Sequence, residues 1–222
     1  MRTRISNVLF DLDGTLTDPK EGIYNGIRFA LTQLDQEIPP ESAFSSFVGP
    51  PLRVVFARLI IPKSDDLVEA AVRLYRQHYG ESGLEQHIVY EGVPEMLLSL
   101  QKAGYRLFIA TSKPLPFALP IAAQLGIKDF FERIYGAGLD GKNDNKAELI
   151  AELLNKEDLR AADTLMVGDR EHDIIGAKMN LVMAMGVTYG YGSQRELLNA
   201  GADVIVNQPK DIVPALAAFG RH

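Results

Sequence analysis

The chain has 222 residues, a length that suits one large domain or a smaller domain carrying an insertion. Hydrophobic residues make up 46% and charged residues 23%, an ordinary globular composition that argues against disorder. The formal net charge of -6 argues against binding to a nucleic-acid polymer or to an anionic membrane surface, because both require a basic protein surface.

The sequence contains no cysteine, which excludes a disulfide framework and fits a reducing compartment. The N-terminal residues lack the apolar core and the cleavage site of a signal peptide. No window approaches the ~20 apolar residues that a membrane-spanning helix needs. We therefore expect a cytoplasmic protein without a membrane partner.

Six short apolar runs predict β-strands that are buried on both faces. They lie at residues 5–10, 106–110, 133–136, 164–167, 182–186 and 203–206. The runs are rich in Val, Ile, Leu and Met without clean alternation, as is typical of a parallel sheet. Helical patterns at residues 93–102, 146–154, 171–179 and 194–200 separate the later strands. This alternation predicts an α/β fold with a doubly wound parallel sheet.

The segment between the first two strands differs, because it shows helical periodicity only. Its two apolar stripes are Ile23, Ile27, Ala30, Leu31 and Leu34, and then Leu67, Ala70, Ala71 and Leu74. A parallel crossover needs about a dozen residues, whereas nearly a hundred separate the first two strands. We therefore expect an inserted helical cap at residues 17–84 and an α/β core formed by residues 1–16 and 85–222.

Two aspartates, Asp11 and Asp13, follow the first predicted strand and precede Gly14 and Thr15. Ligand sites in open α/β sheets lie beyond the C-terminal ends of the strands. Crowded carboxylates at such a position need a cation or a proton to offset their repulsion. Taken alone, the pattern is equally compatible with a polar turn at Asp13-Gly14.

A second pair of acids, Asp169 and Asp173, follows the predicted strand at residues 164–167. Their spacing of four residues would place both on one face of a helix that begins there. Capping of that helix by aspartate is the structural alternative. We favour a functional explanation, because three of the predicted strands end in polar, reactive groups.

A hydroxyl and a lysine complete the set of candidate residues. Thr111 and Ser112 follow the predicted strand at 106–110, where a hydroxyl and backbone N–H groups can hold a phosphate or simply cap a helix. Lys146 begins a predicted helix, although a cation there opposes the helix dipole, and Lys142 is the alternative lysine. Carboxylates, Mg²⁺, a hydroxyl and a lysine together are the parts that phosphoryl transfer requires.

With these motifs in this order, the chain resembles the haloacid dehalogenase superfamily, in its phosphoglycolate phosphatase-like and 5′-nucleotidase-like branch. The resemblance implies a Rossmann-like core with an α-helical cap. It also implies hydrolysis of a small phosphorylated metabolite, either a nucleoside monophosphate or phosphoglycolate, through an aspartyl phosphate. Asp11 would be the nucleophile and Asp13 the general acid and base.

The same resemblance implies Mg²⁺ as the cofactor. The ion would be bound by the carboxylates of Asp11 and Asp169 and by the backbone carbonyl of Asp13, with Asp173 supporting it directly or through water. Thr111 and Lys146 would act in catalysis by holding the phosphoryl oxygens. Ser112 would help to bind the substrate through its backbone.

In the predicted cap, the segment at residues 47–53 resembles the loop that faces the active site in such enzymes. Arg53 would then bind an anionic group of the substrate, or else it lies on a solvated helix face. The sequence is compatible with a monomer or a homodimer. Two alternative functions are a phosphomutase of the same fold and a non-catalytic phosphate-binding module, although Asp13 and the inserted lobe argue against the module.

Overall fold

The structure is a computed structural model that describes residues 5–219, and the chain divides into two compact units. One unit, here called the α/β unit, comprises the residues up to Asp18 and those from Val89 onward. The other, Pro19–Ile88, is called the helical unit. The chain therefore leaves the α/β unit once and returns to it once.

The α/β unit is built on a parallel sheet. In chain order the strands are Asn7–Phe10 (β1), Thr17–Asp18 (β2), Ile88–Val89 (β3), Arg106–Pro114 (β4), Arg133–Ala137 (β5), Thr164–Gly168 (β6), Met183–Val187 (β7) and Val204–Val206 (β8). Six of them form one sheet in the order β5-β4-β1-β6-β7-β8, and every neighbouring pair is parallel. The chain starts at β1 in the middle, runs to one edge and then returns to the other side. The predicted doubly wound α/β fold is confirmed.

Helices connect the strands. In chain order they are Lys20–Gln33 (α1), Leu52–Leu59 (α2), Asp65–His78 (α3), Val93–Lys102 (α4), Leu115–Gln124 (α5), Lys146–Lys156 (α6), Glu171–Met179 (α7), Gln194–Asn199 (α8) and Ile212–Phe219 (α9). Within residues 5–219, no helix is both long and apolar enough to cross a membrane.

The central strands are buried on both faces. Val8, Leu9 and Phe10 in β1 are fully buried, and so are the apolar residues of the neighbouring β6. Because successive side chains point to opposite faces of a strand, this burial requires a layer on each side of the sheet. Burying each large apolar side chain contributes about 1.5–3 kcal/mol, so these runs strongly favour the interior of the sheet.

The start of α6 is fixed by a local hydrogen bond. The Asn145 side chain accepts a hydrogen bond of 2.8 Å from the backbone N–H of Ala147, which caps the first turn. Lys146 is therefore the first residue of the helix. Its side chain is buried although it is charged, together with the apolar face formed by Leu149, Ile150 and Leu153.

The helical unit has its own apolar interior. Helix α1 buries Ile23, Ile27, Ala30 and Leu31, as its periodicity predicts. The buried face of α3 is Val68, Ala71, Val72 and Tyr75. The predicted stripe through Leu67, Ala70 and Leu74 was therefore displaced by about one residue. The large Tyr75 side chain is buried on this face, with its ring stacked on that of Tyr79 at 5.2 Å between centroids, while Leu74 is only partly buried.

Strand β4 is longer than its sequence pattern predicts. The apolar run ends at Ala110, but the strand continues to Pro114, and its pairing with β5 shifts between Thr111 and Pro114. Thr111 and Lys113 are both buried, whereas Ser112 between them is partly exposed. This alternation places two polar side chains of the strand end on the same side.

Candidate active site

The candidate site lies at the C-terminal ends of the central strands, where the direction of strand order changes. Asp11 follows β1, and its backbone N–H donates a 2.9 Å hydrogen bond to the carbonyl of Val167 in the adjacent β6. Asp169 follows β6 directly. Parallel strands of an open α/β sheet bind ligands at such a switch point.

Three buried carboxylates converge at this edge of the sheet. Asp11, Asp169 and Asp173 each offer an oxygen, and these oxygens lie within 4.8 Å of one another. None of the three residues is more than 7% exposed. The sequence predicted this convergence of two separate motifs, which are more than 150 residues apart.

Lys146 supplies a positive charge to this cluster. Its Nζ donates to Asp11 Oδ1 at 2.9 Å and lies 2.8 Å from Asp173 Oδ1. A third contact of 2.9 Å joins it to the carbonyl of Ala110 in β4. The alternative lysine, Lys142, has a side chain that is 68% exposed and pairs with Glu152 at 3.5 Å. The structure therefore places Lys146, and not Lys142, against the carboxylates.

The electrostatics of the cluster favour protonation or a bound cation. Burial raises the pKa of Asp169 well above its ordinary value, and repulsion from Asp173 and Asp11 adds to the effect. Burial also raises the pKa of Asp173 to about 6, although Lys146 opposes this. Burial lowers the pKa of Lys146, but its two carboxylate partners outweigh burial and raise the pKa above the ordinary value. The lysine thus remains charged, while the carboxylates have an excess of negative charge.

We expect the free energy of unfolding of the metal-free protein to fall as the pH rises from about 4 to about 6. Asp173 holds its proton more tightly in the folded chain, where its pKa is about 6 instead of the ordinary 3.8, so its ionisation favours unfolding. Urea unfolding in EDTA at a series of pH values measures the slope. Asp173→Asn cannot titrate and should show a shallower slope, and equal slopes in both proteins would contradict this origin.

The chemistry of these groups fits a divalent metal ion. Carboxylate oxygens are the ligands that Mg²⁺ prefers, and a divalent charge would offset the repulsion between Asp11, Asp169 and Asp173. The carboxylate of Asp13 points elsewhere, because its Oδ2 is 2.7 Å from Lys113 Nζ. Coordination by the Asp13 backbone carbonyl stays a prediction.

Gly14 allows the loop after β1 to approach Asp169. Its φ is +84°, and a Cβ at this position would lie 2.2 Å from Asp169 Oδ2. A side chain would therefore displace the carboxylate as well as strain the backbone. Gly14 is thus needed both for the turn after Asp13 and for the close approach of this turn to Asp169.

Asp173 caps a helix, as the structural alternative from the sequence suggested, and it also pairs with Lys146. Its Oδ2 accepts a 3.1 Å hydrogen bond from the backbone N–H of Arg170 and so caps α7. Its Oδ1 is the atom that pairs with Lys146. The capping alternative is therefore observed, whereas metal support by Asp173 stays a prediction.

Sequence reasoning missed Lys113. Its side chain is 5% exposed and forms an ion pair with Asp13, whose side chain is 14% exposed. Thr111 Oγ1 accepts a 3.2 Å hydrogen bond from the backbone N–H of Lys113. The signal that would have identified Lys113 is the two-residue period of a strand continuing past Thr111, whereas we treated this segment as a loop.

Arg53 lies in the helical unit, in the first turn of α2. Its Nε is 2.6 Å from Glu69 Oε1, and the two side chains are 40% and 45% exposed. Surface ion pairs of this kind contribute little to stability. The predicted contact between Arg53 and the substrate stays a prediction.

Comparison with known proteins identifies related sequences over most of the chain. The family model of haloacid dehalogenase-like hydrolases matches residues 8–187. A 5′-nucleotidase of Pseudomonas aeruginosa is 44% identical over 196 residues, which cover 87% of each chain. The tyrosine-protein kinase PtkA of Mycobacterium tuberculosis is 36% identical over 213 residues, covering 96% of this chain and 72% of PtkA. A phosphoglycolate phosphatase of Colwellia psychrerythraea is 32% identical over 87% of this chain and 89% of its own length.

Solved structures show the same architecture. The crystal structure of a predicted phosphatase from Clostridium acetobutylicum superposes with a TM-score of 0.91 at 37% sequence identity. The match covers 96% of this chain and 99% of that protein. The likeness therefore extends over the α/β unit and the helical unit.

Proposed function

Because the chain belongs to the haloacid dehalogenase-like hydrolase family, we propose that it is a Mg²⁺-dependent phosphatase that hydrolyses a small phosphorylated metabolite. The predicted resemblance to the haloacid dehalogenase superfamily is thereby confirmed. The observation that most strongly supports phosphatase chemistry is the buried cluster of Asp11, Asp169 and Asp173 with Lys146 at the strand ends. Its three carboxylates suit the binding of a metal ion, and its lysine suits the binding of a phosphoryl group.

Asp11 is the proposed nucleophile. Its carboxylate attacks the phosphorus atom, a P–O bond to Asp11 forms, and the bond to the substrate oxygen breaks. Lys146 binds Oδ1 of Asp11 and restricts rotation of the carboxylate. Holding the attacking group in one orientation lowers the entropic part of the barrier.

Asp13 is the proposed general acid and base. As the acid it protonates the oxygen of the leaving group, and as the base it then accepts a proton from the water that hydrolyses the aspartyl phosphate. The ion pair with Lys113 holds its carboxylate at the end of β4. Lys113 is therefore a proposed support for Asp13.

The remaining residues are proposed to bind the metal ion and the phosphoryl oxygens. Asp11, Asp169 and Asp173 would hold Mg²⁺, which when bound neutralises the phosphate charge and aligns the phosphoryl group for attack. Thr111 and Lys146 would bind the phosphoryl oxygens, with help from the backbone of Ser112.

A nucleoside monophosphate is the proposed substrate, and phosphoglycolate is the alternative. The 5′-nucleotidase of P. aeruginosa has the higher identity to this chain, 44% against 32% for the phosphoglycolate phosphatase of C. psychrerythraea. Arg53 is the proposed contact to an anionic group of the substrate.

A second candidate function is transfer of a phosphoryl group to protein tyrosine. The 36% identity to PtkA over 96% of this chain favours it. Both functions would use Asp11 as the residue that carries the phosphoryl group, so the cluster itself does not distinguish them. The two functions differ in the phosphoryl donor, a small phosphorylated metabolite or ATP, and in the acceptor, water or a tyrosine hydroxyl.

Phosphate release from a panel of phosphorylated compounds tests the proposal. The panel contains nucleoside monophosphates, phosphoglycolate and p-nitrophenyl phosphate, each with Mg²⁺ and with EDTA. We expect release with Mg²⁺ only, and fastest release from a nucleoside monophosphate. A parallel reaction with ATP and a tyrosine-containing protein tests the kinase alternative. Tyrosine phosphorylation without phosphate release from any ester would overturn the phosphatase proposal.

A further inference from the structure

The loop between β7 and α8, residues 188–193, packs directly on Asp169. The backbone N–H of Tyr191 donates a 2.8 Å hydrogen bond to Asp169 Oδ2. At Gly192, a Cβ would lie 1.9 Å from the backbone oxygen of Asp169, so the two backbones are in contact. This loop is rich in glycine and tyrosine, but the proposed mechanism assigns no task to it.

Two tyrosine hydroxyls attach this loop to the segment that follows β1. Tyr189 donates a 2.9 Å hydrogen bond to the backbone carbonyl of Thr15, and Tyr191 donates a short hydrogen bond to Asp18 Oδ1. The ring of Tyr189 also packs edge-on against that of Tyr90, with 5.3 Å between centroids. The loop is thus bound both to Asp169 and to the segment that begins with Asp11 and Asp13.

The carboxylate of Asp169 is held from both sides as a result. Oδ2 accepts from the Tyr191 backbone, and Oδ1 accepts a 3.3 Å hydrogen bond from Thr15 Oγ1. Thr15 is itself bound by Tyr189. A buried carboxylate that is repelled by Asp11 and Asp173 needs such restraints to remain beside them. Altering a group that orients a metal ligand in this way commonly changes the affinity of the site for the metal.

We propose that Tyr191 is a positioning residue for Asp169. Its hydroxyl, bound to Asp18, fixes the loop, and the backbone N–H of the same residue then holds the Asp169 carboxylate in the orientation that binds a divalent cation. This inference rests on the proposed Mg²⁺ site and extends it to a residue outside the proposed set of metal ligands.

The test is Mg²⁺ binding to the Tyr191→Phe variant of the full chain, measured by isothermal titration calorimetry. Phe retains the ring and the backbone N–H and removes only the hydroxyl. We expect the dissociation constant for Mg²⁺ to rise by about tenfold, at the lower end of the effects of altering groups that orient a metal ligand. Asp18→Ala removes the partner and should weaken binding similarly. The double variant should then weaken it little further, because the two changes break the same hydrogen bond.

Tyr135→Phe is the matched control. It also removes a tyrosine hydroxyl that donates to a carboxylate, in this case to Glu157 at 2.6 Å, but it lies in the edge strand β5 and its hydroxyl does not bind the segment that holds Asp169. Urea unfolding in EDTA compares the stability lost in the two variants. Weaker Mg²⁺ binding in Tyr191→Phe and unchanged binding in Tyr135→Phe support positioning, whereas equal weakening in both would overturn it.

Two further results separate this inference from the proposed function. If the wild-type chain binds Mg²⁺, Asp169→Ala does not, and Tyr191→Phe binds as tightly as wild type, only the role of Tyr191 is overturned. If the wild-type chain does not bind Mg²⁺, the proposed metal site is wrong and the inference fails with it. Should Tyr191→Phe fold poorly, Asp18→Ala tests the same hydrogen bond from its other end.

Discussion

Replacing Asp11 by Asn is expected to lower turnover by on the order of 1,000-fold or more at saturating Mg²⁺. The amide is a poor nucleophile, so the covalent phosphoenzyme does not form. Its oxygen can still accept a hydrogen bond from Lys146, and the shape of the side chain is kept. The rate of phosphate release measures the loss. Acid-quenched reactions with radiolabelled substrate should show label on the wild-type protein and none on the variant.

Asp129→Asn is the matched control for this experiment. Asp129 is an exposed carboxylate in the short helical turn Lys128–Phe130, outside the cluster. Its replacement should leave turnover within about twofold, since surface substitutions of this kind have small effects. If Asp11→Asn retained the wild-type rate, covalent catalysis by Asp11 would be excluded, and direct attack by water would be the remaining route.

Replacing Lys146 by Met is expected to reduce both stability and turnover. The change leaves buried carboxylates without the ammonium group that pairs with Asp11 and Asp173. Breaking a buried ion pair from one side costs about 3–5 kcal/mol, and urea unfolding in EDTA measures this loss. Turnover should fall by on the order of 100-fold or more, as when an electrostatic donor is removed from an active site.

Lys142→Met provides the control. Lys142 lies in the loop that leads into α6, but its side chain is exposed and pairs with Glu152. We expect almost no change in unfolding free energy or in turnover from this variant. The opposite pattern, a large loss from Lys142→Met and a small one from Lys146→Met, would reverse the assignment of the phosphate-binding lysine. Added Mg²⁺ should recover part of the stability of Lys146→Met, because the cation offsets the same carboxylate charge.

The sheet could be predicted from the sequence because its strands are buried on both faces. Such strands are continuous apolar runs. A run like Val8–Phe10 is therefore best accommodated in a strand that is covered on both faces. The acids that end these runs could be predicted to meet for the same reason, since parallel strands bring their C-terminal ends to one edge. Asp11 and Asp169 are the clearest example.

The features that escaped prediction depend on packing instead of pattern. Helix α2 has only eight residues, too few for a long helical pattern, and α9 consists of apolar residues without the polar face of a surface helix. The end of β4 contains Thr111, Ser112 and Lys113, whose polar composition is typical of a loop. The pairing of Lys113 with Asp13, which favours its burial in the strand, is not visible in the sequence. The role of Tyr191 depends on a turn that brings a backbone N–H to Asp169, and one sequence does not specify such a turn.

The position of β1 in the middle of the sheet affects how this protein can be made. Asn7 aligns with Arg106 in β4 and with Thr164 in β6, residues that are synthesised long after it. Proteins whose contacts join such distant residues fold slowly. Their unpaired strands are prone to aggregate before the partner strands are available. In a nascent chain, Asp11 is made well before Asp169 and Asp173, which follow only after β6 has been translated. The carboxylate cluster is therefore completed only after β6 and the start of α7 have been made, so a shorter nascent chain contains Asp11 without its partner carboxylates.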